Sequence, residues 1–272
     1  MGRSKKELKL GCELMELIKT FNLSGKAEKA LELLLSDEES QAAQDYANTV
    51  SIVRLGYNDH GPVHMRTCAM NAMIMLRLLR QAEVKTSLEK DGCGDFEDSL
   101  IAILFACLLH DVGMGVGRQD HELHSAYLSL PIINRMIGEL YQGNMQKQAM
   151  VRCLAIEGIT GHMGTSSVHS LEAGVVQVAD GCDMTKGRAR IPIQLGLLSK
   201  TGHIHQFSAN SIEEVRINAG QERPIRVDVY MSNDAGYFQV EEVLLKKIAG
   251  STAKSYIELY AQVKDEAARQ YL

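Results

Sequence analysis

Apolar residues recur at near-helical spacing through the first two hundred positions and alternate in twos beyond them. Leu8, Leu10, Leu14, Met15, Leu17 and Ile18 fall among Lys and Glu and predict an amphipathic helix over 5–20. A short helix is expected over 24–35. Ser36-Asp37-Glu38-Glu39 has the spacing of a capping box and predicts a third helix running to about Leu55. Residues 56–61 break the pattern, and Pro62 suits the first turn of a helix carrying His64, Cys68, Met70, Met73, Ile74, Met75, Leu78 and Leu79. Residues 83–94 read as a polar loop. Asp95 caps the next helix, expected over 96–111, with Glu97 and Asp98 favourably placed on its macrodipole and Gly113, Gly115 and Gly117 ending it. Further helices are expected over 121–140, with Pro131 as a kink or junction, and over 146–157. A loop over 158–167 carries His162, and a helix from about Ser167 ends near 180–184.

Past residue 200 the period changes. Ile225, Val227 and Val229 alternate with Arg226, Asp228 and Tyr230, so 211–218 and 224–231 read as strands. A helix over 238–248 and a strand over 256–263 complete a β-β-α-β unit. The expected architecture is mainly α: a helical part over 1–200 and a small α+β module over 201–272.

Composition narrows this picture. The 272 residues are 45% hydrophobic with few aromatics and no Trp, so the core is aliphatic. The six cysteines are dispersed without a CxxC pair, which suits a reducing compartment. The first twenty residues lack the apolar region of a signal peptide, and no uninterrupted apolar run spans a bilayer. A soluble, cytoplasmic protein without membrane partners is the expectation. The net charge of −5 gives no reason to expect a nucleic-acid polymer as partner, whereas a small phosphorylated substrate needs only a local basic cluster.

The apolar run 100–109 ends on His110-Asp111. Imidazole and carboxylate side by side at the end of a buried helix call for something that binds them, and divalent transition metals accept both. His64, His124, His162 and Asp180 fall near other helix ends or in adjoining loops, and helix ends can converge on one cavity. Asp183, one turn after Asp180, is a candidate to orient a ligand histidine, and reads equally as a helix-end residue.

The ordered set H…HD…H…H…D resembles the HD-domain superfamily of metal-dependent phosphohydrolases over about residues 60–190, which implies an HD-type helical bundle. On that resemblance His64, His110, Asp111 and Asp180 hold one metal. His124 and His162 match the extra histidines of members that hold two, with Asp111 bridging. The implied cofactor is one or two divalent ions (Mn, Fe, Co, Ni or Zn, with Mg also suitable). The implied activity is hydrolysis of a phosphomonoester or phosphodiester, a nucleotide among the candidates. The glycine-tyrosine-proline motif of cyclic-dinucleotide phosphodiesterases is absent, and HDVGMG stands where alarmone hydrolases carry HDxxED.

Two divalent ions about 3.5–4 Å apart lower the pKa of a shared water and neutralise charge on the phosphoryl oxygens. Asp111 is then catalytic as well as ligating. His60 is the candidate proton donor to the leaving group, but reads more readily as a turn or N-cap residue. Lys186, Arg188 and Arg190 are candidates to grip phosphate, and read equally as a solvated loop. Arg118 and His121 could also reach the site. Two other functions fit the same ligands: a di-iron oxygenase of HD type, and a non-catalytic nucleotide sensor signalling through the C-terminal module. That module is also a candidate for mediating homodimerisation.

Overall fold

A computed structural model describes residues 3–186 and 203–272. The helical part comprises α1 (Lys5–Lys19), α2 (Lys26–Ser36), α3 (Glu38–Thr49), α4 (Pro62–Gln81), α5 (Ser87–Asp91), α6 (Phe96–Leu109), α7 (His121–Leu140), α8 (Met145–Gly161) and α9 (Leu171–Gly181). After α10 (His203–Asn210), strands β1 (Ile212–Ala219) and β2 (Ile225–Met231) lead into a helical crossover. It consists of α11 (Gly236–Gln239), a π-helical turn (Val240–Leu244) and α12 (Leu245–Gly250). Strands β3 (Ile257–Val263) and β4 (Arg269–Gln270) follow. The fold is mainly α with a small C-terminal α+β module, as the periodicity predicts.

All of α6 is buried. A helix apolar on every side can be satisfied only at the centre of a bundle, and α2, α4, α8 and α9 surround it. The few polar groups of α6 are spent on its neighbours. Glu97 accepts from Ala27 N at 3.1 Å, at the start of α2. Asp98 accepts from the Tyr141 hydroxyl at 2.8 Å and from Lys147 Nζ at 2.7 Å. By length and composition the stretch Phe96–Gly115 could cross a membrane, but 94% of its apolar window is buried inside the protein. It is a core helix.

In the module, β2 and β3 pair in parallel, which requires the crossover helix between them. The register sets Ile225, Val227, Val229 and Met231 against Ile257, Leu259, Ala261 and Val263. These residues are buried in the same apolar cluster as α4, α6 and α9. The sheet order is β1-β2-β3-β4, and β4 is too short to leave a period in the sequence.

Several boundaries differ from the sequence expectation. The N-cap of α3 is Asp37, whose side chain accepts from Ser40 N at 2.9 Å, while Ser36 ends α2. The supposed loop 83–94 contains α5, closed by a Thr86–Glu89 capping box. Pro131 lies inside α7 without ending it; the proline is exposed, where water can satisfy the carbonyl it leaves unpaired. Helix α8 runs to Gly161, so His162 caps it and is not a loop residue. Helix α9 starts at Leu171, because Ser170 supplies its N-cap.

Candidate metal centre

The six groups converge from five helix ends. His64 lies in the first turn of α4, His110 is the C-cap of α6 and Asp111 follows it. His121 opens α7, His162 is the C-cap of α8 and Asp180 lies in the last turn of α9. All six are buried.

Each imidazole is oriented by its Nδ1. That atom faces Cys107 O in His110 (2.9 Å), Ile159 O in His162 (2.6 Å) and Arg118 O in His121 (3.0 Å). In every case the carbonyl belongs to the residue three positions earlier. In His64 the partner is Asp183 Oδ2 at 2.7 Å. A carbonyl or carboxylate can only accept, so each Nδ1 carries a hydrogen, and in the neutral imidazole each Nε2 points its lone pair inward. The Nε2 atoms of His64 and His110 are 3.1 Å apart, and those of His121 and His162 are 3.2 Å apart. Contacts this close need a proton or a cation between the two nitrogens.

Asp111 divides the cluster. Its Oδ2 is 3.3 Å from Nε2 of both His64 and His110. Its Oδ1 is 3.2 Å from His121 Nε2 and 3.6 Å from His162 Nε2. Asp180 Oδ1 lies on the first side, 3.1 Å from His64 Nε2 and 3.7 Å from His110 Nε2. Oδ2 of Asp111 is buried with no aligned donor, an arrangement that costs free energy unless a cation satisfies it. The donor atoms of His64, His110 and Asp180, and those of His110, Asp111 and His162, are close enough to share an ion. Imidazole nitrogen and carboxylate oxygen are the right donors for a divalent transition metal, and the residues present fit one.

The electrostatics point the same way. Burial works to lower the pKa of His110, but the charge of Asp111 beside it pushes it up to about 10. Burial pushes His162 down to about 4, and the charge of His110 adds to this. Although burial opposes ionisation of both carboxylates, His110 holds Asp111 well below the usual range and the ammonium of Lys247 does the same for Asp180. The two carboxylates thus draw positive charge, from His110 and Lys247, to a place where His162 resists taking a proton.

Of the residues singled out in the sequence, His64, His110, Asp111, His162 and Asp180 are brought together. His124 is not among the contacts of this cluster; His121, three residues earlier in the same turn, takes that place. The cause lies at Gly113. A Cβ there would sit 2.0 Å from His121 O and 2.4 Å from Ser125 N. Only glycine lets the turn after Asp111 lie against the first turn of α7, and Ser125 Oγ then accepts from Gly113 N at 2.8 Å. His60 lies beside the cluster, its ring centroid 6.0 Å from that of His64 and its Nδ1 2.6 Å from Asn58 O. Arg118 Nη1 is 3.3 Å from His121 Nε2. Lys186 is exposed and pairs with Glu213 at 2.5 Å; Arg188 and Arg190 lie outside the described residues. Sequence reasoning missed Lys247, which reaches the cluster from α12. The geometry predicts that His121→Ala weakens metal binding by more than ~100-fold, beyond what loss of a ligand-orienting partner costs. His124→Ala should leave metal binding intact. Titration of each variant with Mn(II) checks this, and equal losses in the two variants would show the assignment to be wrong.

No family model and no solved structure matches the chain. Among curated proteins, it is 40% identical over 252 residues to Uncharacterized protein MJ1020 of Methanocaldococcus jannaschii, spanning 93% of this chain and 95% of that one. It is 28% identical over 169 residues to Ribonuclease Y of Clostridium perfringens, covering 61% of this chain but 29% of that enzyme. Ribonuclease Y of Clostridium botulinum matches equally, 28% over 167 residues. Near-complete coverage at the first of these identities shows that the chain belongs to the same family as Uncharacterized protein MJ1020 of Methanocaldococcus jannaschii.

Proposed function

We propose that this protein is a metal-dependent phosphohydrolase of HD type that cleaves a small phosphomonoester or phosphodiester, with nucleotides as the first candidates. The observation that carries the reading is the paired arrangement of four imidazoles, each anchored through Nδ1, on the two oxygens of one buried carboxylate. The partial likeness to Ribonuclease Y, by its name an enzyme that cleaves RNA, supports a phosphoester substrate. Bound divalent ions would supply an activated water and neutralise the phosphoryl charge.

The chain's own groups do the rest. Asp111 would ligate through both oxygens, with His64, His110 and Asp180 on one side and His121 and His162 on the other. Asp183 and three backbone carbonyls hold the imidazoles in one tautomer, so nothing reorganises when the ligands engage. Arg118, half-buried beside His121, is positioned to take a non-bridging phosphoryl oxygen. As the P–O bond to the leaving group breaks and that to water forms, the departing oxygen needs a proton. Asn58 O engages Nδ1 of His60, so Nε2 is the atom that would deliver it.

The test is elemental analysis of the purified protein, followed by turnover of bis(p-nitrophenyl) phosphate, p-nitrophenyl phosphate, nucleotides and a short RNA with Mn(II), Co(II), Ni(II) or Mg(II). About two ions per chain and turnover of a small ester are expected. A protein that takes up no metal refutes the proposal. Tight nucleotide binding without turnover would indicate a sensor, and a content dominated by iron would call for a dioxygen-uptake assay.

A further inference from the structure

Lys247 is an ammonium from the C-terminal module placed inside the ligand cluster of the helical part. Its side chain is 10% exposed, and its Nζ forms an ion pair with Oδ2 of Asp180, whose own side chain is 8% exposed. The same Nζ donates to His162 O at 2.9 Å. The lysine therefore touches one ligand carboxylate and the backbone of a second ligand, on opposite sides of Asp111.

The neighbouring backbone is built to admit it. A Cβ on Gly181 would lie 3.1 Å from Lys247 Cδ, so the last turn of α9 is pared down where the lysine stem passes. One face of α9 is bonded throughout to the segment carrying Lys247. Gln177 Nε2 donates to Lys247 O at 3.1 Å, Ser251 Oγ to Gly174 O at 2.9 Å and Thr252 Oγ1 to Ser170 O at 2.6 Å. A buried, strongly hydrated ammonium is expensive unless paired. A lysine brought this far by a separate module, and seated by bonds along a whole helix face, has a role at its tip.

The two oxygens of Asp180 have separate partners. Oδ1 faces His64 Nε2 at 3.1 Å, and Oδ2 faces the ammonium. We propose that Lys247 is a positioning residue that holds Asp180 to one-oxygen ligation and makes the C-terminal module an integral wall of the metal centre. This rests on the metal-centre reading above. With Oδ2 engaged, only Oδ1 is presented to an ion shared with His64 and His110. The bond to His162 O fixes the end of α8 relative to α9, and thereby the spacing between the two halves of the centre.

The experiment is titration of the full-length protein with Mn(II), and the visible absorption spectrum of the Co(II)-loaded form, for the wild type, Lys247→Met and Lys247→Arg. Lys247→Met keeps the aliphatic stem and removes the charge. It is expected to weaken one of the two Mn(II) sites by about 10–100-fold, the range for losing a partner that orients a ligand, and to shift the Co(II) bands. Lys247→Arg, which restores a cation to Asp180, is expected to recover most of both. Lys247→Gln keeps a donor at similar reach and replaces the Met variant should that one not fold; it should show the same direction of change. Unchanged affinity and spectrum in the Met or Gln variant would overturn the inference. So would equal weakening of both sites that Arg does not restore, since that marks a lysine needed only for packing. A wild type that binds no metal defeats the metal-centre reading itself, and this inference with it. A wild type that binds two ions beside an indifferent Lys247→Met defeats this inference alone.

Discussion

Asp111→Ala is expected to remove both ions and the hydrolytic activity together. Asp111 places Oδ2 among His64 and His110 and Oδ1 among His121 and His162, so it faces both halves of the cluster with a separate oxygen. Alanine leaves the His121 and His162 side with no carboxylate, and leaves the His64 and His110 side with Asp180 alone, which Lys247 already pairs. Metal content should fall from about two per chain to well below one. Turnover of the best phosphoester should fall by more than ~100-fold, the order lost when a single preorganised electrostatic group is removed from an active site. Asp111→Asn keeps the shape and one good acceptor but not the charge, and is expected to keep at most one ion. Elemental analysis with steady-state assays checks both variants. An Asp111→Ala protein that keeps its metal and its rate would remove the bridging carboxylate from the account and the phosphohydrolase reading with it.

The parts of this centre that were legible in the sequence are those written locally. His110-Asp111 could be read because the apolar run 100–109 precedes it, and an apolar run ending on two polar groups is a one-dimensional signal. His64, His162 and Asp180 could be read because they stand in the ordered pattern H…HD…H…H…D, near helix ends or in adjoining loops, although periodicity ended the helix before His162 too early. The choice between His121 and His124 could not be made. Both lie in the first turn of α7, and which one faces inward depends on how closely the turn at Gly113 approaches that helix, a tertiary distance. Lys247 was further out of reach, because 67 residues separate it from Asp180. One signal was available all the same. Val240, Leu244 and Ile248 mark the buried stripe of the crossover helix, and Lys247 stands three residues after Leu244, inside that stripe. A charged residue on the apolar side of a helix asks for a partner. The module's strands were legible because their alternation is local. The short β4 was not, since two residues carry no period. The capping box Thr86-x-x-Glu89 was present in the sequence but lay within a stretch too polar and glycine-rich to suggest a helix.

Removal of metal should destabilise the fold as well as silence it. Ions held by groups from α4, α6, α7, α8 and α9 tie together five helix ends, and nothing comparable is preorganised in the unfolded chain. A ligand present at a thousand times its dissociation constant adds roughly 4 kcal/mol to folding. At roughly 2–4 °C per kcal/mol for a chain of this size, chelation should lower Tm by about 8–16 °C. The loss should depend on pH, and its sign follows from His110. Its pKa in the folded protein is about 10 against an ordinary value of 6.5. Without metal, the pairing of its imidazolium with Asp111 therefore contributes stability that is fully present below pH 6.5 and is lost as pH rises through about 10. With metal bound, the imidazole is already a neutral ligand and that dependence disappears. The gap in Tm between metal-loaded and chelated protein should therefore widen as the buffer is taken from pH 6.5 towards 9.5. Thermal unfolding at a series of pH values, with and without chelator, measures it. A gap that narrows over that range would mean that protons, and not a divalent ion, are what the buried carboxylates were arranged to hold.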